Sequence, residues 1–193
     1  MADIRKLTME DYQPLHDLTI DSFMHDDYFA ELFPDEAIRA AMIEKHVMVL
    51  CKYCVEHGSS WGCWVDGRPA AVQFIVECRT DNEEEINGLF FDPAIRHGDS
   101  EKVVFREKVR ERLSGGGCVQ YFLMAVVERS RRRQGVGLRL IERCLNELRG
   151  EMIMTELTTP EIIRLFEKFS GKWSVERQKL SDYYIIITLL PAQ

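Results

Sequence analysis

Apolar positions change their spacing several times along the chain, and each change predicts an element. Val119 to Val127 (VQYFLMAVV) is an almost unbroken apolar run and reads as a buried strand. After it, Val136, Leu138, Leu140, Ile141 and Leu145 recur at helical spacing, and the polar stretch Glu128 to Gln134 between the two reads as a turn. Near the start, Ile4 to Leu7 predicts a short strand. Thr8 with Asp11 predicts a capping box for a helix over Met9 to Phe23, its inner side marked by Leu15, Leu18, Thr19 and Ser22. Pro34 suits the first turn of a long helix from Asp35 to His57, with Ile38, Met42, His46, Val49 and Tyr53 on one side and Gly58 closing it. Trp61 to Val65 and Ala70 to Cys78 predict a hairpin turned at Asp66-Gly67.

The second half continues in the same way. Between Arg79 and Gly117 the pattern predicts a helical turn over Glu83 to Phe90 and an amphipathic helix over Glu101 to Leu113. Its rotation places either Val104, Lys108 and Arg112 outward or Val103, Phe105, Val109 and Leu113 inward; Gly115 to Gly117 is a plain connector. Met152 to Leu157 predicts a fifth strand. Thr158, Pro160 and Glu161 start a helix running to Phe169, and Trp173 to Lys179 with Tyr183 to Leu190 form a closing antiparallel pair.

Composition narrows the class. A chain of 193 residues, 46% hydrophobic, is long enough for one domain with a sizeable core, so a single domain over 1–193 is expected. The balance of 32 acidic to 25 basic residues, net −7, disfavours general binding to nucleic acid or anionic membranes and suits a cationic or amine-bearing partner. No membrane span is expected, and MADIRKLTMEDY lacks the apolar core of a signal peptide, which places the protein in the cytoplasm. The six cysteines lie mostly in apolar segments, as free thiols in a reducing compartment do. Cys51-x-x-Cys54 with His57 nearby is set aside as a zinc site because no second pair accompanies it, so no metal is expected.

The chemistry concentrates where the apolar run meets the helix. Gly135 and Gly137 sit at the helix start, whose first N–H groups have no intrahelical partner and carry partial positive charge. Arg129, Arg131, Arg132 and Arg133 crowd the same turn against the overall acidity. An anion such as phosphate or pyrophosphate fits there; on spacing alone the joint also reads as a solvated basic loop. The Walker sequence is absent, and Gly137 is followed by Leu138, Arg139 and Leu140, so no dinucleotide fingerprint follows the strand.

What remains, Arg132-x-x-Gly135-x-Gly137 after a strand ending at Val127, resembles the Q/R-x-x-G-x-G/A signature of the GCN5-related N-acetyltransferase (GNAT) superfamily. WVDGRPAAVQFIV is similar to its middle hairpin, and TELTTPEIIRLFEKFSGK (Thr155 to Lys172) to its second conserved block. The resemblance implies an α/β fold with a central mixed, twisted sheet of about seven strands flanked by helices, here with a helical insertion over 79–117. It also implies acetyl-coenzyme A as co-substrate. Backbone at Ala125, Val126 and Val127 would pair with the pantetheine arm, and Arg132, Arg133, Gln134, Gly135, Val136 and Gly137 would hold the pyrophosphate, with Thr159 and Phe166 also at the cofactor. The implied reaction is direct attack of an amine of a small molecule or protein on the thioester, and the segment bearing Asp26, Asp27 and Glu31 would receive that amine. Phe166 stands where the family often has a tyrosine acid, and it cannot donate a proton. For the proton steps Tyr121, Glu128 and Tyr184 are the first candidates, with Glu77, Glu156 and His25 beside them. The alternative is an acyl-coenzyme A sensor of the same fold with little catalysis. A homodimer is possible on either reading.

Overall fold

The unbroken apolar run becomes the strand in the middle of the sheet. A computed structural model of the chain describes residues 2–82, 85–86, 99–148, 150–157, 166, 173–181 and 184–191. Its strands are β1 (Ala2–Lys6), β2 (Trp61–Val65), β3 (Arg68–Cys78), β4 (Val119–Val127), β5 (Met152–Leu157), β6 (Trp173–Ser181) and β7 (Tyr184–Pro191), in one mixed seven-stranded sheet of order β1-β2-β3-β4-β5-β7-β6. The helices are α1 (Met9–Met24), α2 (Asp27–Leu32), α3 (Glu36–Met42), α4 (Met48–His57), α5 (Asp99–Leu113) and α6 (Val136–Glu147). The chain divides into two compact units, Met1–Val76 with Met124–Leu145, and Glu77–Leu123 with Asn146–Gln193.

In the first unit, β1 and β2 are antiparallel from Ala2↔Val65 to Lys6↔Trp61, and β2 pairs antiparallel with β3. The β2–β3 turn places Asp66 at φ 53° and Gly67 at φ 76°, two left-handed residues in succession, which suits the twist of the strands it joins. At the start of α1, both the N–H and the hydroxyl of Thr8 donate to Asp11 Oδ2, at 2.9 and 3.1 Å. Arg5 grips the same carboxylate with both terminal nitrogens, at 2.6 and 2.7 Å, so strand and helix are tied through Asp11.

The long helix expected over Asp35 to His57 is interrupted. Asp35 caps α3 by accepting from Ile38 N–H at 2.9 Å, and a π-turn over Ile43–Val47 separates α3 from α4. The predicted inner face holds only in part: His46 is buried. Ile38 and Val49 are exposed, at 56% and 48%, whereas Arg39, Ile43, Val47, Leu50, Cys51 and Cys54 are buried. Arg39 turns inward because its guanidinium donates to the carbonyls of Met24, Phe33 and Pro34, and the wide turn adds one residue that shifts every later position. The segment after α1 that bears Asp26, Asp27 and Glu31 holds the short helix α2, with Asp26 Oδ1 accepting from Phe29 N–H.

In the second unit, Phe105, Val109 and Leu113 are the buried face of α5, and Val103, expected beside them, is exposed. β4 pairs in parallel with β5 from Val119↔Met152 to Phe122↔Thr155, β5 is antiparallel to β7, and β7 to β6. β7 (YIIITLLP) lies between two strands and is apolar almost throughout, whereas β6, at the edge, carries Glu176, Arg177 and Lys179. Of the helix expected from Thr158 to Phe169 only Phe166 is described, and it is helical and buried; of Glu83 to Phe90 only Glu85 and Ile86 are, both helical. None of the six cysteines is in a disulfide, and among the described residues no helix is long and apolar enough to cross a membrane.

Candidate functional site

The end of β4 departs from the burial of its beginning. Val119, Gln120, Tyr121 and Phe122 are buried, Leu123 and Met124 are half-buried, and Ala125 is exposed although it lies in the middle strand of the sheet. The side towards β3 is occupied: Gln73 Nε2 donates to Met124 O at 3.1 Å, and Glu128 N–H to Ala70 O at 2.9 Å. Val126 is buried and Val127 half-buried. A strand with one side engaged and an exposed residue near its end can offer backbone groups to an extended ligand.

Beyond Val127 the chain makes a short 3₁₀ turn over Arg129–Arg131 and enters α6. Arg133 and Gly135 both adopt left-handed backbone, at φ 64° and 75°. For Gly135 that conformation is free of steric cost, and a side chain added there would meet nothing within 4 Å. Gly137 matters for a different reason. A Cβ on it would lie 3.0 Å from Val127 Cγ2, so a larger residue there requires Val127 to give by a few tenths of an ångström. The first hydrogen bond of the helix ladder runs from Arg139 N–H to Gly135 O at 3.0 Å, leaving the amides of Val136, Gly137 and Leu138 ahead of it. They form the positive end of a dipole worth about half an elementary charge.

The arginines of the turn divide by partner. Arg131 faces Glu128 and Asp66, at 3.6 and 3.8 Å, and Arg132 Nε reaches back to Val127 O at 3.2 Å. Arg129, Arg132 and Arg133 are exposed and leave the loop positive on its outer side. Glu128 and Gln134 brace the turn: Glu128 Oε1 accepts from Ser130 Oγ at 2.7 Å, and Gln134 Nε2 donates to Ser130 O at 2.7 Å.

Three of the proton-transfer candidates are found in local pairs. Tyr121, 4% exposed, donates its hydroxyl in a short hydrogen bond to Glu156 Oε1 and packs its ring 4.8 Å from that of Phe105. Sequence reasoning considered Tyr121 and Glu156 separately, because their pairing depends on the β4–β5 register. His25 Nδ1 bonds Asp21 O at 2.8 Å. The side chain of Tyr184 and the whole of Thr159 lie outside the described residues.

His25 also lines a cavity of about 610 Å³ within the first unit, together with His16, Asp17, Asp21, Glu36, Glu44 and, from the loop after β4, Arg129. Of the acids expected to receive an amine, Asp26, which caps α2, and Glu31, which is exposed, are not among the described lining residues, and the Asp27 side chain lies outside the described residues. Its four acids come from α1, α3 and the π-turn, and in the sequence only the i, i+4 spacing of Asp17 and Asp21 hinted at them. Burial works against a charge on His16, but hydrogen bonds to Glu44 and Asp17, each at 3.2 Å, outweigh it and hold the imidazole above its usual pKa.

No protein-family model matches the chain, and no curated protein matches it. Solved structures do. A Corynebacterium glutamicum protein described as histone acetyltransferase HPA2 and related acetyltransferase aligns at 17% identity and TM-score 0.60, over 100% of this chain and 97% of its own. The polyamine N-acetyltransferase of Drosophila melanogaster aligns at 12% identity and TM-score 0.61, over 100% of both chains. The PaiA N-acetyltransferase of Thermoplasma acidophilum, solved in complex with coenzyme A, aligns at 10% identity and TM-score 0.51, over 100% of this chain and 99% of its own. With the mixed sheet, its order and the glycine-eased joint after the middle strand, these alignments establish that the chain has the fold of the GCN5-related N-acetyltransferases.

Proposed function

We propose that this protein is an N-acetyltransferase that moves an acetyl group from acetyl-coenzyme A to an amine. The observation that carries the reading is the joint of β4 and α6, an exposed strand residue followed by a cationic turn and three helix-start amides. Of the amides from Arg132 through Gly137, those of Arg132 and Gln134 donate within the turn to Arg129 O and Arg131 O, at 3.3 and 3.4 Å, and the others take the pyrophosphate, as helix starts take anions. The backbone at Ala125, Val126 and Val127 takes the pantetheine arm, and the Ala125 N–H is the donor for the thioester carbonyl oxygen as it gains charge. Thr159 and Phe166 stay as further cofactor contacts by resemblance. A relative in fold was solved with coenzyme A, which supports the choice of carrier.

The four acids described around the cavity outnumber its two arginines, Arg39 and Arg129, which supports a cationic amine as acceptor, an expectation in keeping with a fold relative named for polyamines. Attack forms the C–N bond, breaks the C–S bond and leaves one proton on nitrogen to be removed. Of the candidates, Tyr121 with Glu156 is the pair we assign to proton transfer; Glu128, committed to its own turn, is set aside, and Tyr184 is kept as a second proton donor. Six cysteines with no disulfide among them suit a cytoplasmic setting. Phe166 favours a second reading, a coenzyme A sensor with little turnover. Thiol release from acetyl-coenzyme A over a panel of amines separates the two. Turnover that falls about 10²-fold in Tyr121→Phe is expected, and no turnover with any amine would refute the transferase. Gly135→Glu should lose coenzyme A binding by calorimetry while melting within a few degrees of the parent, and unchanged binding there would refute both readings.

A further inference from the structure

A separate group of coordinating side chains lies in the second unit, at the opposite end of β4 from the phosphate turn. Glu77 is near the end of β3, Cys118 immediately precedes β4, and Glu151 immediately precedes β5. One ligand atom from each, a carboxylate oxygen, the thiol sulfur and a carboxylate oxygen, lies within 4.8 Å of the other two. Gln120, 1% exposed, sends its amide into their midst. Its Nε2 is 2.6 Å from Glu151 Oε2, 3.1 Å from Glu77 Oε2 and 3.7 Å from Cys118 Sγ. An amide nitrogen has two hydrogens, so three acceptors exceed what it can serve. Meanwhile Gln120 Oε1, also buried, has no hydrogen-bond partner among the described residues.

The excess of acceptors around the nitrogen is relieved, and the oxygen gains a partner, if the amide is turned over and a cation takes the centre. A half-turn exchanges nitrogen for oxygen with no change of shape. It aims the idle acceptor at the point where the carboxylates and sulfur converge. The local field is already negative: burial, then Glu77 and Glu151, push the Cys118 thiol up to about 11. Arg79 takes the other oxygen of Glu77 at 2.8 Å, leaving Oε2 directed inward.

We propose that Glu77, Cys118, Glu151 and the Gln120 carbonyl oxygen bind one divalent transition-metal ion of the zinc type. One sulfur among four ligands selects against magnesium and calcium, and four donors suit tetrahedral zinc. Zinc bonds of about 2.0–2.3 Å set neighbouring ligand atoms about 3.5 Å apart, so the group closes by about 1 Å on loading. Cys118 releases its proton as the metal–sulfur bond forms. The ion would pin the end of β3 and the starts of β4 and β5 together, a structural clamp independent of acetyl transfer. The site departs from the sequence expectation of no metal, which considered only Cys51, Cys54 and His57; the first two are fully buried and His57 packs its ring against Tyr53.

The test uses the full chain, stripped with chelator. Titration with Co²⁺ should give one equivalent with a thiolate-to-metal charge-transfer band, and Zn²⁺ should raise the melting temperature. In Cys118→Ser the band and one equivalent should be lost at unchanged far-ultraviolet circular dichroism, and Glu151→Gln should weaken binding at least about tenfold. The absence of a thiolate band in the parent protein overturns the proposal, whether or not the variants fold. So does a stoichiometry that stays the same in both variants, which would put the ion on other side chains.

Discussion

Asp11 holds two elements with one carboxylate. It accepts from the Thr8 N–H and hydroxyl at the start of α1 and takes both terminal nitrogens of Arg5 from β1. The hydrogen bonds from Arg5 dominate, burial opposes them, and Thr8 assists, so the carboxyl is held below the usual aspartate range. A depressed folded pKa contributes stability that is present above the unfolded value near 4 and is lost as pH falls through the lower folded value. Arg5 is 44% exposed in its side chain, which screens the pair. Asp11→Asn should therefore cost about 1–2 kcal/mol at pH 7. Thermal melts from pH 7 to pH 2 should show the gap to the parent closing below about pH 4, and a constant gap would contradict the assignment. Single residues were legible where their partner is near in sequence. Thr8 and Asp11 are three apart and were read as a cap. Tyr121 and Glu156 come together only through strand register, so neither announced the other.

Among the elements, the β2–β3 hairpin and the helix from α3 to α4 differ in how they store their geometry. The hairpin is set by two residues, and Gly67 occupies φ 76° with open space around it. Gly67→Ala should cost about 1 kcal/mol through backbone strain alone, seen as a lower denaturant midpoint with an unchanged slope. This is why the sequence located the turn correctly: Asp-Gly between apolar runs contains the whole instruction. The face of the α3–α4 helix could not be read in the same way. A π-turn leaves no mark in composition, yet it shifts the buried face after it, and the burial of Arg39 depends on three carbonyl partners that its charge does not announce.

At the scale of the molecule, the order of strands and helices was legible because each element has its own apolar period, and the joint after β4 because its glycines and arginines are contiguous. The acidic cavity and the Glu77, Cys118 and Glu151 group were not, since their members are gathered from distant segments by the fold. Net charge of −7 with acids around the cavity predicts electrostatic steering of the acceptor. For a cationic amine, kcat/KM should fall as ionic strength rises from about 0.01 to 0.15 M, over which the screening length shrinks from about 30 to 8 Å. A neutral amine should show little change.

The parallel pairing of β4 with β5 carries a kinetic consequence. No tight turn can align these strands; residues 128–151, including α6, must be laid down before Val119 can find Met152. The hairpins β2–β3 and β6–β7 close short loops and can form early, whereas this pair waits on a long one. The turn proposed to hold the pyrophosphate lies inside that crossover and is completed late. Coenzyme A supplied to the denatured chain should thus leave the refolding rate in stopped-flow fluorescence unaltered and act on the reverse reaction, slowing the rate at which the native state is lost.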